Sequence, residues 1–155
     1  MKLIAGLLAA SALAMAAGVM AHSGATGIVK QRMDAMVELG DHAKLLANMF
    51  KGKTAFKVQA VRDAADSFVS HGRQMAEWFP DTENSRYGHK SQSKQVVWEQ
   101  WDDFVEEVND FIAASETLQA KAQTTDDEAV LRKAFFGAAK GCKSCHKVYR
   151  KPKSK

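Results

Sequence analysis

The C-terminal part of the chain, from Thr125 to Tyr149, reads TDDEAVLRKAFFGAAKGCKSCHKVY. Apolar residues, with two cysteines among them, recur there every three or four positions: Leu131, Phe135, Ala138, Cys142, Cys145 and Tyr149. This spacing is typical of one face of an α-helix that packs against other helices. Thr125 and Glu128 have the spacing of a capping box, in which Glu128 reaches back to the cap and Thr125 covers a free backbone amide. The pattern predicts a long amphipathic helix that begins at about Thr125.

Near the end of this stretch lies the pentapeptide Cys142-Lys143-Ser144-Cys145-His146. C-x-x-C-H is the pattern of covalent haem c attachment, in which each thiol adds to a haem vinyl group and the histidine is an axial ligand of the iron. On a helix, positions i, i+3 and i+4 share one face, so all three side chains can reach one macrocycle. Cys142 and Cys145 are the only cysteines of the chain. The motif therefore leaves no thiol for a structural disulfide.

Three alternatives to haem remain open for the motif taken alone. A dithiol redox motif is expected in a βαβ context, and the chain shows no strand periodicity. A zinc site needs a second cluster of ligands, whereas the remaining histidines are scattered. The third alternative is a chance occurrence of three fixed residues.

The N-terminus has the pattern of a secretory signal peptide. Met1-Lys2 is a short positive segment, residues 3–18 are uncharged and rich in Ala and Leu, and Val19-Met20-Ala21 supplies a small residue for cleavage. The apolar run is too short for a comfortable membrane span. We therefore predict a signal peptide at residues 1–21 that is removed on export. One domain, residues 22–155, would then act in the periplasm without spanning the membrane, in the compartment where haem c is attached.

Three further stretches carry apolar residues at helical spacing, at about residues 26–51, 54–79 and 93–123. Stripes sustained over three or more heptads and joined by short links predict an all-α, antiparallel up-down four-helix bundle. Residues 80–92 are polar and predict a loop between the second and third helices. Trp98, Trp101, Phe104 and Tyr149 are assigned to the core or to the wall of a haem site. Because Cys142 and Cys145 continue the apolar stripe of the fourth helix, the haem c is expected to lie inside the bundle.

The second axial position of the iron decides between electron transfer and binding of a small ligand. The candidates are the methionines and histidines of the mature chain: Met33, Met36, Met49, Met75, His42, His71 and His89. Met36 is favoured, because in an antiparallel bundle the start of the first helix lies beside the end of the fourth. Met75 also lies on an apolar stripe, near the end of the second helix. A methionine at helical spacing is also a common core residue.

Arg32 is a charged residue on an apolar stripe, one turn before Met36. A buried guanidinium needs a partner, and a haem propionate would be a suitable bidentate one. The alternative is an arginine whose aliphatic part is covered while its charge reaches solvent at the end of the bundle.

The charge of the chain is only mildly positive, at +4, and its strongest cluster is the basic tail at Lys147, Arg150, Lys151, Lys153 and Lys155. The tail is either a solvated terminus or a docking patch for an acidic redox partner. It lacks interleaved aromatic residues, so we expect no nucleic-acid binding. No acid–base pair or Ser/His/Asp grouping stands out, and we expect no enzymatic activity.

The chain closely resembles the class II c-type cytochromes, the cytochrome c′ family. The resemblance rests on the terminal motif Cys142–His146, on the four-helix pattern and on KQRMDAMVELG at residues 30–40. The segment from Phe79 to Trp101 is also similar to the middle loop and third helix of the family. The resemblance implies one covalent haem c on Cys142 and Cys145, His146 as the axial ligand, Arg32 near the haem and Met36 at the distal position.

The distal position divides that family, and two functions therefore stay open. With Met36 as a ligand, the iron is low-spin and the protein is a one-electron carrier for an unidentified redox partner. Without it, the iron is five-coordinate and binds nitric oxide or carbon monoxide, as in high-spin members, many of which are homodimers. A haem-free dithiol oxidoreductase is the remote third alternative. We expect the electron carrier with His146–Met36 ligation.

Overall fold

The structure is a computed structural model, and it describes residues 24–152 of the chain. It contains six α-helices: α1 (Gly27–Phe50), α2 (Val58–Gln74), α3 (Glu83–Tyr87), α4 (Val96–Glu99), α5 (Trp101–Thr124) and α6 (Glu128–Tyr149). The four long helices α1, α2, α5 and α6 pack as a bundle in which consecutive members are neighbours. The predicted all-α four-helix bundle is thus confirmed. None of the helices in the described part is both long and apolar enough to cross a membrane.

The core is formed by the apolar stripes that the sequence pattern identifies. Its largest fully buried side chains are Phe68, Phe104, Phe135, Leu46, Leu118 and Leu131. Aromatic rings connect the helices, with centroids 5.5 Å apart for Phe50 and Phe135 and 5.1 Å apart for Phe104 and Tyr149. Burial of each such side chain stabilises the fold by about 1.5–3 kcal/mol. The bundle is therefore held mainly by contacts between stripes and not by polar links.

Helix α6 begins differently from the predicted capping box. Its N-cap is Asp127, whose Oδ1 accepts hydrogen bonds from the backbone amides of Ala129 at 2.8 Å and Val130 at 3.0 Å. Thr125 Oγ1 accepts from the amide of Asp127 at 3.1 Å, and Thr125 itself has an extended backbone. The capping box on Thr125 and Glu128 was wrong, because the carboxylate of Asp127 can serve two free amides at once.

The predicted second and third helices are each interrupted. Helix α2 ends at Gln74 and is followed by a 3₁₀ turn, Met75–Trp78, before Pro80. Gln100 leaves helical geometry, with φ −124° and ψ 54°, and separates α4 from α5. Trp101 begins α5 and stays 36% exposed, so its assignment to the core or haem wall was wrong. The indole packs on the ring of Phe104, with centroids 5.5 Å apart, and the rest of the side chain faces solvent.

The segment between the 3₁₀ turn and α4 was predicted as a loop, and it includes the short helix α3. It is tied to the end of α6 by an isolated antiparallel bridge between Ser93 and Arg150, the only β pairing among residues 24–152. The amide of Lys94 donates to the carbonyl of Tyr149 at 2.9 Å, and the amide of Lys151 donates to that of Gln92 at 2.8 Å. These bonds hold the segment beside the C-x-x-C-H motif.

Candidate haem site

Two adjoining cavities separate the beginning of α1 from the end of α6. Their volumes are about 170 Å³ and about 110 Å³, and four residues line both: Met36, Met75, Cys145 and His146. The larger cavity extends toward Arg32, Phe79, Val97, Phe104 and Tyr149. The smaller one extends toward Leu39, Ala43, Val108, Phe111 and Cys142. The walls are mainly apolar, and together the two cavities form a cleft along the inner face of the motif.

Cys142 and Cys145 lie half-buried on the cleft side of α6, with both thiols free. Burial raises the pKa of Cys142. Burial together with the nearby charges of Glu107 and Cys142 raises the pKa of Cys145 to about 12. Dithiol oxidoreductases depend on a thiolate with a lowered pKa. The environment of this pair therefore opposes the dithiol alternative and suits two neutral thiols that face an apolar group.

His146 also lines both cavities, one residue after Cys145. The residue is exposed overall. The protein around the imidazole nevertheless removes enough water to lower its pKa, and the charge of Arg150 lowers it further. A lowered pKa keeps the ring neutral, which is the state in which a histidine binds a metal. Among residues 24–152, no group of three or more His, Cys, Asp or Glu residues is arranged to hold a metal ion. The zinc alternative for the motif thus has no ligand set there.

Met36 lies where the sequence pattern placed it, half-buried and in both cavities. Met75 lies in the 3₁₀ turn after α2, lines both cavities and is 6% exposed. Met33 lines the larger cavity only. The other candidates, Met49, His42, His71 and His89, line neither cavity. The fold therefore reduces the candidates for the second axial position to three methionines.

Arg32 is buried, with 3% of its surface exposed, at one side of the larger cavity. Its guanidinium donates to Ser85 Oγ at 3.0 Å, to the Ser85 carbonyl at 2.7 Å, to Ser91 Oγ at 2.7 Å and to the Trp78 carbonyl at 3.4 Å. It also lies 5.0 Å from the centroid of the Phe79 ring. Burial lowers its pKa to about 10.

These contacts overturn the alternative role predicted for Arg32. An arginine that reaches solvent at the end of the bundle is excluded, because the guanidinium turns inward to the segment over the cleft. Its partners Ser85 and Ser91 were not identified from the sequence. They lie 53 and 59 residues away along the chain, and their spacing carries no signal.

Ser144 and Glu107 form a polar contact at the cleft that was also not identified from the sequence. Ser144, between the two cysteines, donates through Oγ to Glu107 Oε2 at 2.8 Å. Glu107 lines the smaller cavity. Glu107 is one of six acidic residues of α5, and its position beside the motif depends on how α5 and α6 pack. A carboxylate is thereby held at the edge of the candidate haem site.

The residues of the cleft fit a haem c in their chemistry. Two neutral thiols three positions apart would hold the porphyrin edge, and the next imidazole would reach the iron. Apolar side chains from α1, from the 3₁₀ turn after α2 and from α5 would cover the faces of the macrocycle. The four terminal N–H groups of Arg32 are already donated to Trp78, Ser85 and Ser91, so the predicted bidentate bond to a propionate was wrong. The two cavities lie on the side of α6 that carries Cys142, Cys145 and His146.

Comparison with known proteins agrees with this geometry. The family model described as Cytochrome C′ matches residues 27–150. A cytochrome c′ of Pararhodospirillum photometricum is 30% identical over 122 residues, which cover 79% of this chain and 94% of the relative. A cytochrome c-556 of Agrobacterium tumefaciens is 26% identical, covering 80% of this chain and 97% of the relative. Among solved structures, cytochrome c′ of Rhodopseudomonas palustris is 27% identical with a TM-score of 0.74, and the match covers 83% of this chain and 99% of that one.

Proposed function

Because the chain belongs to the cytochrome c′ family, whose members bind one covalent haem c, we propose that it transfers single electrons through a haem c in the cleft between α1 and α6. The observation that carries this proposal is that Cys145, His146 and Met36 line the same two cavities. Covalent attachment, one axial imidazole and one thioether on the opposite side would leave no open position on the iron.

In this proposal Cys142 and Cys145 attach the haem. Each thiol would add across one vinyl group and hold the haem through a carbon–sulfur bond, with the thiol proton going to the other vinyl carbon. Their raised pKa values keep both groups as thiols before attachment. His146, with its lowered pKa, supplies a neutral imidazole from the same helix.

The residues around the cleft would shield the haem iron from water. Met36 would supply a sulfur ligand from α1, opposite His146. Arg32 would hold the segment from Trp78 to Ser91 over the larger cavity through its hydrogen bonds to Ser85 and Ser91. An iron with two protein ligands changes little in coordination when it is oxidised or reduced, which favours electron transfer over ligand chemistry.

A specific observation supports a second function, the binding of small gases. The smaller cavity extends from Met36 along α1 past Leu39, Gly40 and Ala43, and its wall is nearly all apolar. If Met36 does not bind the iron, this side of the haem would be open to a diatomic ligand such as carbon monoxide or nitric oxide. The protein would then be a five-coordinate member of its family.

Optical spectroscopy of the holoprotein, with and without carbon monoxide, separates the two functions. The electron carrier predicts a low-spin ferric spectrum with the sulfur–iron charge-transfer band and slow uptake of carbon monoxide by the ferrous form. Met36→Ala should remove the band and speed that uptake, while the matched variant Met75→Ala should leave both unchanged. A wild-type spectrum that is high-spin, or one unaffected by Met36→Ala, contradicts Met36 ligation.

We further propose that the protein acts in the periplasm after removal of residues 1–21. That segment lies outside the residues that the structure describes. The proposal rests on its sequence pattern and on the requirement of haem c attachment for an exported chain. The mass of the holoprotein purified from its own cell type should correspond to a chain that begins at His22 and carries one haem.

A further inference from the structure

The outward side of α6 carries a concentration of positive charge. After Glu128, the helix contains five basic residues and no acidic one: Arg132, Lys133, Lys140, Lys143 and Lys147. All five are exposed. By contrast, α5 contains six acidic residues and one lysine. Charge of opposite sign is therefore segregated onto adjacent helices.

Four of these lysines form one continuous surface, here called the lysine face: Lys133, Lys140, Lys143 and Lys147. Their spacings of seven, three and four residues place them on one side of the helix. The stripe that holds Cys142 and Cys145 lies on the opposite side. Phe136 lies in register with the lysine face and is 44% exposed. The surface thus combines charge with one exposed aromatic ring.

The lysine face forms no ion pair within the described part of the chain. None of the salt bridges among residues 24–152 involves a residue of α6. The amine of Lys94 adds a further positive charge nearby, since its Nζ donates to the carbonyl of Lys147 at 3.3 Å. Unpaired charges of one sign around an exposed aromatic side chain are the arrangement of an interface that attracts a partner of opposite charge.

We propose that the lysine face of α6 is the docking surface for a redox protein whose own electron-transfer site is surrounded by acidic residues. The inference rests on the proposed electron-carrier function. Lys140 and Lys147 flank the C-x-x-C-H motif and Lys143 lies within it. A partner on this face would therefore lie across one helix from the haem, a thickness of about 10 Å. Phe136 supplies the apolar contact, and the lysines steer the approach.

An acidic protein fits this face better than an anionic membrane. A helix that binds a membrane surface inserts a broad apolar face below its basic residues. The apolar stripe of α6 is buried in the bundle core, and Phe136 is the one large apolar residue within the lysine face. Little apolar area is therefore left for insertion.

The test compares two holoprotein variants with the same change in net charge. Lys140→Glu with Lys147→Glu alters the lysine face and leaves the C-x-x-C-H residues intact. Lys51→Glu with Lys53→Glu is the matched control, in the turn after Phe50. Phe50 packs on Phe135, ten residues before Cys145, which places the control about 15 Å or more along the bundle from the motif.

Stopped-flow oxidation of the reduced proteins by hexacyanoferrate should show a local effect of the lysine face. At low ionic strength, the Lys140/Lys147 variant should react about five to ten times more slowly than the wild type, and the control less than about twofold more slowly. The difference should shrink as salt is added. With the cation hexaammineruthenium as the reductant, the order of the variants should reverse. Equal effects of the two variants would overturn the proposal.

Binding of an acidic polymer or of anionic vesicles tests whether the lysine face binds a macromolecule. Poly-L-glutamate should slow the wild-type and control reactions and leave the Lys140/Lys147 variant nearly unaffected, with Lys140→Gln and Lys147→Gln intermediate. Equal inhibition of all variants, or sedimentation of the wild type with phosphatidylglycerol vesicles through these lysines, would overturn the proposal. Whether the haem of the wild type can be reduced is recorded first, and this tests the electron-carrier function by itself. If the haem is reduced normally but the rate does not depend on these charges, only the docking surface is refuted.

Discussion

Helices α1 and α6 are in contact at one end of the bundle and are held apart at the other. At the closed end, the rings of Phe50 and Phe135 pack with centroids 5.5 Å apart, and Leu131 is fully buried. At the open end, the two cavities lie between Met36 and the pair Cys145 and His146. The same apolar stripe of α6 therefore packs against α1 near Phe135 and borders the cavities at Cys142 and Cys145, before Tyr149 packs on Phe104.

The difference shows that one helix with a constant apolar periodicity can both pack in the core and line a cofactor site, depending on the size of its side chains. Large aromatic and branched side chains occupy the stripe at the closed end. At the open end the stripe continues with Ala138, Cys142 and Cys145, whose small side chains cannot fill the distance to α1. A cofactor bonded to the two thiols would complete the core there. The closed end should thus govern the stability of the bundle, and the open end its chemistry.

The largest effect is expected at the open end from the loss of both thiols. Cys142→Ala together with Cys145→Ala should abolish covalent haem, because no other cysteine is available. Haem staining of the protein on a denaturing gel measures this directly. Lys143→Ala, within the same motif, is the control and should retain the stain. A double variant that keeps its haem through denaturation would show that the attachment site lies elsewhere.

At the closed end, Leu131→Ala should lower the free energy of unfolding of the holoprotein by about 2–5 kcal/mol, because a fully buried leucine leaves a cavity when truncated. The adjacent residue Val130 is 40% exposed, and Val130→Ala should change stability by less than about 0.5 kcal/mol. Guanidinium denaturation followed by circular dichroism measures both. Similar values for the two variants would mean that the closed end does not carry the stability of the bundle.

A smaller loss of stability is expected from the segment that covers the open end. Arg32→Met should cost about 2–3 kcal/mol, since it removes charge-assisted hydrogen bonds to Ser85 and Ser91 in a buried place. Arg73→Met removes an exposed ion pair with Glu116 and should cost no more than about 1 kcal/mol. Thermal unfolding of the two holoproteins compares them. If both variants unfold alike, the Arg32 network is not what holds the segment in place.

The smallest effect is expected from the carboxylate at the border of the cleft. Glu107→Gln should raise the reduction potential of the haem by about 50 mV, because a negative charge near the iron favours the oxidised state. Glu106→Gln, on an exposed position of the same helix, should shift it much less. Spectroscopic redox titration at constant salt measures both potentials. A decrease, or equal shifts in the two variants, would exclude this role of Glu107.

Predictions from the sequence were accurate where a pattern repeats along a helix. They failed at single positions where the backbone departs from that pattern, and at contacts between distant segments. The helical stripes and the C-x-x-C-H motif are local patterns, and the bundle they predict was confirmed. The assignment of Trp101 to the core or haem wall was wrong, since the helix is interrupted at Gln100 and Trp101 is 36% exposed at the start of α5. The cap on Thr125 was wrong, because α6 begins later, at Glu128, and the carboxylate of Asp127 accepts from the free amides of Ala129 and Val130.

The candidate site was partly predictable for the same physical reason. Met36 was placed correctly by the antiparallel register of the first and last helices. Met75 reaches the cleft because the chain tightens into a 3₁₀ turn at the end of α2, and Glu107 reaches it through Ser144. Neither contact leaves a signal in the residue spacing.

The amino-acid sequence by itself determined the four apolar helical stretches, the polar link between the second and third of them, and the C-x-x-C-H motif, because each follows from spacing along one segment. Only the tertiary structure decided which side chains meet across the cleft. Through the fold, Arg32 contacts Ser85 and Ser91, and Glu107 lies beside the motif. Met36 and Met75 line the same two cavities. Those outcomes depend on the packing of separate helices, where a shift of one turn changes every partner.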